Sequence, residues 1–405
     1  MLWGPILEPI LKQQRVTDPK LKLILNGLII AAYPLSQFFA IHPLNSLSEK
    51  IGKKKVLLFT QLGTVISLII GVMALSIPIL SQYSIYSISI GIWLIIFSRI
   101  IDGISGGNAM VTNNYANDII NTEKLDKAKS FTSIELAMIC GSLSGVFLGP
   151  IFATSRFKSV GALYLILFIA FIGIHVIMNR VKDIKNNNGS KISLKQDFNI
   201  FLQLEKIKNF PVVKQTLMYR AVFQFLFMSF ITSIFLFLES HLGITGSELS
   251  SVMFIVAVVT IFTVTIVIPK IIAKYGIDKA FWLSKPFLIT GLLMFYIIPF
   301  RGSGNDVGAG LLLSYFVLVT GVSLALSLFK HFLTEGLDEN KQSHVIALEE
   351  QVIIFSAFLG ASTTGLVSAL INQYGFPAQT LFLYYATLGL VYIIINSLIF
   401  KNKKI

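Results

Sequence analysis

The sequence predicts an all-α, polytopic membrane protein. Hydrophobic residues make up 54% of its 405 residues, and charged residues make up only 13%. Soluble domains carry about 25% charged residues, so this composition excludes an ordinary soluble domain. Long apolar runs recur along the whole chain, and about 20 apolar residues are enough for one helix to cross a bilayer. Together, composition and apolar periodicity predict a bundle of membrane-spanning helices.

Eleven apolar segments of spanning length are separated by polar connections. They cover residues 21–44, 56–77, 88–115, 131–154, 159–178, 215–240, 250–272, 280–300, 309–333, 343–371 and 377–400. A further apolar stretch, residues 1–11, is too short to span. We therefore expect twelve helices, of which the first is truncated.

A polar and basic stretch divides the chain into two halves of six apolar segments each. It contains the sequence NNNGS at 186–190, which is typical of a flexible connection. We predict an N-terminal helix bundle at 1–180, a cytoplasmic basic linker at 181–213 and a C-terminal bundle at 214–405. Equal numbers of segments in the two halves indicate an internal repeat, as is common in transporters.

The distribution of positive charge indicates how the chain is oriented in the membrane. The chain has 33 Lys and Arg residues against 20 Asp and Glu residues, a net charge of +13. Most of the positive residues fall on alternate loops and the C-terminal tail, which the positive-inside rule makes cytoplasmic. Nucleic-acid binding is therefore not expected.

No phosphate-binding loop, metal-ligand spacing or nucleophile elbow occurs, so we predict no enzyme activity, cofactor or metal.

The connection at 45–55, NSLSEKIGKKK, resembles the loop motif G-x-L-S-D-R-x-G-R-[RK] of the major facilitator superfamily. Asn45 stands where the family motif begins with glycine, which departs from the pattern. The resemblance implies a gate at the cytoplasmic face, and two acids outside the motif could pair with its lysines. Asp118 could instead be a solvated loop acid. Glu349 could simply lie near a helix N-terminus, where the helix dipole favours acids. The predicted gating residues are Glu49, Lys50, Gly52, Lys53, Asp118 and Glu349.

Arg99 is the charged residue most indicative of function. It opens the sequence RIIDGISGG at 99–107, where Arg99 and Gly103 share a helix face. An arginine at membrane depth usually faces protein or a wet cavity. Asp102 could merely neutralise it in a structural pair. The R-x-x-x-G spacing of Arg99 and Gly103, however, resembles a motif of proton-linked facilitators, which implies proton coupling by Arg99. Asp102 is not part of that motif, and it is predicted as the coupling partner because it lies within ion-pair reach of Arg99. The guanidinium keeps its own proton, so the transported proton must be carried by an acid. That acid is Asp102 or, as in the family, an acid of helix one.

The stretch 141–150, GSLSGVFLGP, combines small residues with a helix-bending proline. Glycines at spacing four let helices approach closely, and generic packing would explain them. The pattern also resembles the G-x-x-x-G-P motif of drug–proton antiporters, which favours export. The predicted helix-packing residues are Gly103, Gly141, Gly145, Gly149 and Pro150.

Polar side chains within the apolar segments are candidates for a substrate cavity. Serine and threonine in such helices often bond to their own backbone, which is the alternative interpretation. The pair Tyr33 and Gln37 resembles the Y-x-x-x-Q pattern of the antiporters. The predicted substrate-binding residues are Tyr33, Gln37, Gln224, Thr232 and Ser323.

Three phenylalanines and two cations of the second half are expected to face lipid or water. Phe223, Phe227 and Phe230 form a ridge for which lipid contact is the simplest interpretation. Arg220 and Lys285 lie within two turns of a predicted cytoplasmic end. Long basic side chains near a helix end usually extend toward water, so both are predicted to do so.

Taken over nearly the whole chain, the sequence resembles the twelve-helix drug–proton antiporter branch of the superfamily, of the tetracycline-efflux type. The resemblance implies two six-helix bundles related by a pseudo-two-fold axis and secondary transport of a small molecule by alternating access. It also implies a monomer in the cytoplasmic membrane, driven by protons. Two alternatives stay open. One is a proton-coupled importer of a siderophore, sugar or peptide fragment, and the other is a non-transporting, truncated family member.

Overall fold

The computed structural model describes residues 7, 10–85, 88–124, 141, 158–182, 211–238, 242–244, 246–298, 305–334 and 339–400. These residues are almost entirely helical. A short antiparallel pairing of Ser84–Ile85 with Ile88–Ser89 is the described exception. Within the described residues, nine helices are long and apolar enough to cross a membrane. The predicted all-α, multi-span architecture agrees with this.

The chain forms two compact units, Met1–Glu205 and Lys206–Ile405, called unit 1 and unit 2 below. The division between them falls inside the basic stretch predicted as the linker, 181–213. Most of that stretch lies outside the described residues, so the predicted limits of the linker and of the two bundles stay predictions.

Unit 1 contains five described helices of 14 residues or more. The first of them begins where the sequence supplies both a cap and a proline: Asp18 accepts a hydrogen bond from the backbone N–H of Lys20 at 2.9 Å, and Pro19 takes the first helical position. The helices are α1 (Pro19–Ile51), α2 (Lys53–Ser76), α3 (Ile90–Gly106), α4 (Ala109–Thr122) and α5 (Lys158–Arg180). The predicted segment 131–154 lies outside the described residues, apart from Gly141.

The core of unit 1 is aliphatic. It consists of leucine, isoleucine, valine and alanine side chains, and Leu7, Ile10 and Leu11 of the short first segment are fully buried in it. The side chain of Gln14 donates to the carbonyl of Ala74 at 3.1 Å. It also accepts a hydrogen bond from Ser89 at 2.9 Å. The first segment is therefore tied to the end of α2 and the start of α3.

Unit 2 has seven described α-helices. They are α6 (Pro211–Leu236), α7 (Gly246–Phe262), α8 (Ile268–Tyr275), α9 (Ile277–Ile297), α10 (Asn305–Thr334), α11 (Glu339–Gln373) and α12 (Thr380–Phe400). A short π-helical turn, Thr263–Val267, joins α7 to α8.

The core of unit 2 is aromatic, and this corrects one prediction. Phe223 and Phe230 are buried rather than lipid-facing. The ring of Phe223 lies 5.4 Å from that of Phe329, and the ring of Phe230 lies 5.2 Å from that of Phe295. The physical reason is that α6 packs against α10, α11 and α12. Its apolar surface therefore faces other helices, and the rings contact one another edge to face.

A single glycine replaces the polar connection predicted at 45–55. Helix α1 continues through this stretch to Ile51, α2 begins at Lys53, and only Gly52 lies between them, at φ 100°. Unit 2 repeats the device at Gly276, at φ 79°, between α8 and α9. Glycine adopts such positive φ values without the steric penalty of a Cβ atom. In each unit a single glycine thus joins two consecutive helices.

The predicted segment 88–115 is also broken in the structure. Helix α3 ends at Gly106 and α4 begins at Ala109, so Gly107 and Asn108 form a short turn within an otherwise continuous apolar stretch. The side chain of Asn108 donates to the hydroxyl of Thr60 at 2.9 Å. This contact fixes the turn against α2.

Candidate functional site

Arg99 and Asp102 form an ion pair within α3. The Nη1 atom of Arg99 donates to Oδ2 of Asp102 at 2.6 Å, across one helical turn. The guanidinium carbon lies 4.7 Å from the centroid of the Tyr33 ring, which belongs to α1. A cation over an aromatic face is attracted by the quadrupole of the ring. The structure thus brings together the two predicted coupling residues and one predicted substrate-binding residue.

Helices α1 and α3 approach each other closely beside this pair. A Cβ atom added at Gly103 would overlap the carbonyl oxygen of Tyr33 and the hydroxyl of Ser36. The side chain of Gln37 donates to the carbonyl of Gly106 at 3.0 Å. Only glycine permits this backbone contact, so Gly103 sets the distance at which Tyr33 meets Arg99.

A second group of predicted residues meets where α1 turns into α2. Lys53 is buried and forms an ion pair with Asp118 of α4. It also donates to the carbonyl of Asn114 at 3.4 Å. The side chain of Asn114 donates to the side chain of Asn45 at 2.9 Å. The asparagine that departs from the family motif is therefore a hydrogen-bonding contact between α1 and α4.

The other predicted gating residues are placed less specifically. Glu49 is half-buried, Lys50 is exposed, and Gly52 forms the turn described above. Glu349, on α11 of unit 2, is buried and accepts a hydrogen bond from Nε of Arg220 at 3.0 Å. Pairing of Glu349 with Lys50 or Lys53 stays a prediction, as do the gating roles themselves.

The prediction that Arg220 extends toward water is wrong. Its guanidinium carbon lies 4.8 Å from the ring centroid of Phe329 and 5.7 Å from that of Phe223. The reason is the position of Glu349: an ion pair buried between α6 and α11 replaces the hydration that the arginine would otherwise seek. This pair was not predicted from the sequence, because its members are 129 residues apart.

Lys285 is likewise buried rather than extended toward water. Its Nζ atom lies 3.6 Å from the ring centroid of Trp282, 4.6 Å from that of Tyr219 and 5.8 Å from that of Tyr392. Three aromatic faces therefore take the place of water around the ammonium group. One signal in the sequence could have indicated this site: Trp282 precedes Lys285 by one helical turn on α9.

The remaining predicted substrate residues lie on α6 and α10, which pack against each other. Gln224, Thr232 and Ser323 are all buried. The hydroxyl of Thr232 donates to the carbonyl of Met228 at 2.8 Å, which is the backbone bond considered as the alternative.

Of the predicted helix-packing residues at 141–150 in unit 1, Gly141 is exposed. Gly145, Gly149 and Pro150 lie outside the described residues.

Comparison with known sequences gives a family and partial relatives. The family model for the Major Facilitator Superfamily matches residues 4–348. The class C tetracycline resistance protein of Escherichia coli is 28% identical over 141 residues, which is 34% of this chain and 31% of that protein. The class B protein of Escherichia coli is 22% identical over 192 residues, 46% of this chain and 42% of that protein. The chain thus matches less than half the length of these relatives.

Comparison with solved structures gives transporters of one fold. A mutant form of the nucleoside transporter NupG superposes with a TM-score of 0.75 at 14% identity, covering 98% of this chain and 96% of that chain. A D-xylose-proton symporter superposes with a TM-score of 0.71 at 14% identity, covering 98% of this chain and 92% of that chain. At such identities the likeness shows the fold, and it confirms the predicted all-α transporter architecture.

Proposed function

Because this chain belongs to the Major Facilitator Superfamily, we propose that it is a proton-coupled exporter of a small molecule across the cytoplasmic membrane. The family and fold make it a multi-pass membrane transporter rather than an enzyme. Proton coupling, export, a monomeric state and the identity of the membrane are the parts that we propose. One proton entering through 100 mV supplies ~2.3 kcal/mol, which supports roughly fifty-fold uphill transport.

The observation that carries the proposal is the Arg99–Asp102 pair beside Tyr33. A charge buried in a membrane protein is costly, so such pairs usually serve ion or substrate movement. The two members differ in exposure: the side chain of Arg99 is 9% exposed and that of Asp102 is 20% exposed. Arginine stays protonated, whereas a carboxyl group can bind and release a proton. Asp102 is therefore the proton carrier in our proposal.

The position of Tyr33 and Gln37 couples this proton to a substrate. When Asp102 takes up a proton, its attraction for Arg99 falls, and the guanidinium can shift relative to the Tyr33 ring. Such a shift would move the contact between α1 and α3, where Tyr33 and Gln37 are predicted to line the cavity. Proton binding and substrate binding would then influence each other through one pair of helices.

Export is supported by the sequence relatives. Both are named as tetracycline resistance proteins. The G-x-x-x-G-P pattern at 145–150 and the Y-x-x-x-Q pattern of Tyr33 and Gln37 also resemble those of drug–proton antiporters. The structural neighbours include a nucleoside transporter and a D-xylose-proton symporter, so fold alone does not choose a direction. An importer of a sugar or nucleoside is therefore the competing proposal.

Transport into membrane vesicles separates the two directions. We expect inverted vesicles that contain the protein to accumulate tetracycline under an imposed gradient, acidic inside, and to stop when an uncoupler collapses it. Vesicles without the protein give the baseline. Accumulation that survives the uncoupler would contradict proton coupling. Uptake of uridine or D-xylose by right-side-out vesicles, without tetracycline transport, would contradict export.

A further inference from the structure

Unit 2 contains a buried lysine whose neighbours are aromatic rings rather than acids. Lys285 is 5% exposed, and its ammonium group contacts the faces of Trp282, Tyr219 and Tyr392. Among the described residues, no carboxylate or hydrogen-bond acceptor reaches this ammonium group. An ammonium removed from water without a hydrogen-bonding counter-ion is unfavourable. An anion bound at this position would supply the acceptor that the ammonium group lacks among the described residues.

The aromatic faces explain why the ammonium group can be buried although its N–H groups have no hydrogen-bond acceptors among the described residues. Cation–π contacts favour the charged form of the lysine, yet they accept none of its three N–H bonds. Tyr219 and Tyr392 stack nearly parallel, with centroids 6.0 Å apart and an interplanar angle of 9°. Their parallel faces and Trp282 form three apolar walls around a single cation.

A second unused donor belongs to one of the three rings around the lysine. The hydroxyl of Tyr392 is buried, and no described residue accepts or donates a hydrogen bond to it. The hydroxyl of Tyr219, in contrast, shares a hydrogen bond of 2.7 Å with Ser284. The neighbouring cation, Arg220, is also occupied, because Glu349 accepts from it at 3.0 Å. Within the part of the chain that the structure describes, the Lys285 ammonium group and the hydroxyl of Tyr392, whose ring centroid lies 5.8 Å from the Nζ atom, are thus two donors without acceptors.

We propose that Lys285 and the hydroxyl of Tyr392 bind the carboxylate of a planar organic anion, whose body packs against Tyr219, Tyr392 and Trp282. An aromatic carboxylate fits best, because the walls are aromatic and both the ammonium group and the Tyr392 hydroxyl can donate to a carboxylate. Small inorganic anions would use the charge but not the walls. The inference rests on the proposed function insofar as it names a substrate class, but binding itself needs neither a gradient nor a direction of transport.

The site contains its own reporter. Trp282 lies against the ammonium group, and the chain has only two other tryptophans, Trp3 and Trp93. In a W3F/W93F background, the fluorescence of Trp282 can be followed in detergent-purified protein while benzoate is added. Benzamide, which has the same shape without the charge, is the matched probe. We expect a saturable response to benzoate and binding of benzamide weaker by about tenfold or more, since charge-assisted hydrogen bonds are lost.

Two variants test whether Lys285 is responsible. Lys285→Gln should weaken benzoate binding about tenfold or more, whereas Lys279→Gln, at an exposed position of the same helix, should leave it unchanged. Equal binding by the two variants would overturn the proposal. Absence of a saturable benzoate response, or equal responses to benzoate and benzamide in the parent, would also overturn it, even if Lys285→Gln failed to fold.

The binding result and the transport result are separable. Benzoate binding without proton-driven transport would contradict the proposed function and leave the anion site standing. Proton-driven tetracycline transport by a protein that does not bind benzoate would support the proposed function and contradict the anion site.

Discussion

Among the described residues, each unit buries an arginine–carboxylate pair, and the two pairs are built differently. In unit 1, Arg99 and Asp102 lie three residues apart on one helix. In unit 2, Arg220 and Glu349 lie on separate helices, α6 and α11. The side chains of the first pair are 9% and 20% exposed, and those of the second are 9% and 3% exposed.

This difference separates two uses of the same chemistry. A pair within one helix can open without separating any helices, and its more exposed member is the acid. A pair between two helices ties them to each other, and here the arginine is also covered by neighbouring rings such as Phe329. We therefore expect the Arg99 pair to take part in transport and the Arg220 pair to hold α6 against α11.

The largest effect on stability should come from breaking the pair of unit 2. Arg220→Ala leaves Glu349 buried and without its guanidinium, and removing one partner of a buried pair costs about 3–5 kcal/mol. We expect a clear fall in the midpoint of thermal unfolding in detergent. Asp102→Asn should cost much less, because that pair lies within one helix and its acid is partly exposed.

A double variant sharpens this test. R220M/E349L replaces both charges by apolar groups and should unfold close to the parent, since apolar replacement of a buried pair is often neutral. If Arg220→Ala unfolds like the parent, the pair does not hold the two helices together. The contrast between the units would then be lost.

The next effect concerns the ion pair between helices in unit 1. Lys53→Ala removes the contacts to Asp118 and Asn114, and we expect a loss of about 1.5–3 kcal/mol, as for hydrogen bonds to charged groups. The cost should be smaller than in unit 2, because the side chain of Asp118 is 23% exposed and can be hydrated when its partner is removed. Lys50→Ala, at an exposed position of the same motif, is the control. A loss larger than that of Arg220→Ala would contradict this ranking.

The smallest predicted effect concerns the feature that the units share. Alanine at Gly52 or Gly276 must adopt a positive φ, which costs about 1–2 kcal/mol. The two substitutions should lower the unfolding midpoint by similar amounts, because both glycines join consecutive helices by one residue. Strongly unequal shifts would show that the two turns are not equivalent.

The fold could be predicted from the sequence because membrane helices are recognisable by their length and polarity. Ten of the eleven predicted spans fall wholly or largely within described helices. The connections were predicted less well, since Gly52 and Gly276 each replace a polar loop by a single residue. A glycine in a charged stretch does not by itself reveal its φ.

Helical spacing predicted the candidate site only where its parts are close in sequence, whereas the pair of Lys53 and Asp118, 65 residues apart, was predicted through the resemblance to the family motif. Arg99, Asp102 and Gly103 could be found from helical spacing. Arg220 and Lys285 were misplaced because α6 and α9 are apolar on most sides, so hydropathy does not say which face meets protein and which meets lipid. Their partners come from distant helices, and packing of those helices decides that both cations are enclosed.

Transport by Arg99 variants under an imposed pH gradient tests the central claim most directly. With tetracycline as the substrate, Arg99→Ala should lose gradient-driven flux while remaining monodisperse in detergent. Arg99→Lys keeps the charge without the planar guanidinium, so it should retain more substrate exchange in the absence of a gradient than Arg99→Ala. If Arg99→Ala accumulates substrate like the parent under the gradient, Arg99 is a structural charge, and the Arg99–Asp102 pair does not couple transport to protons.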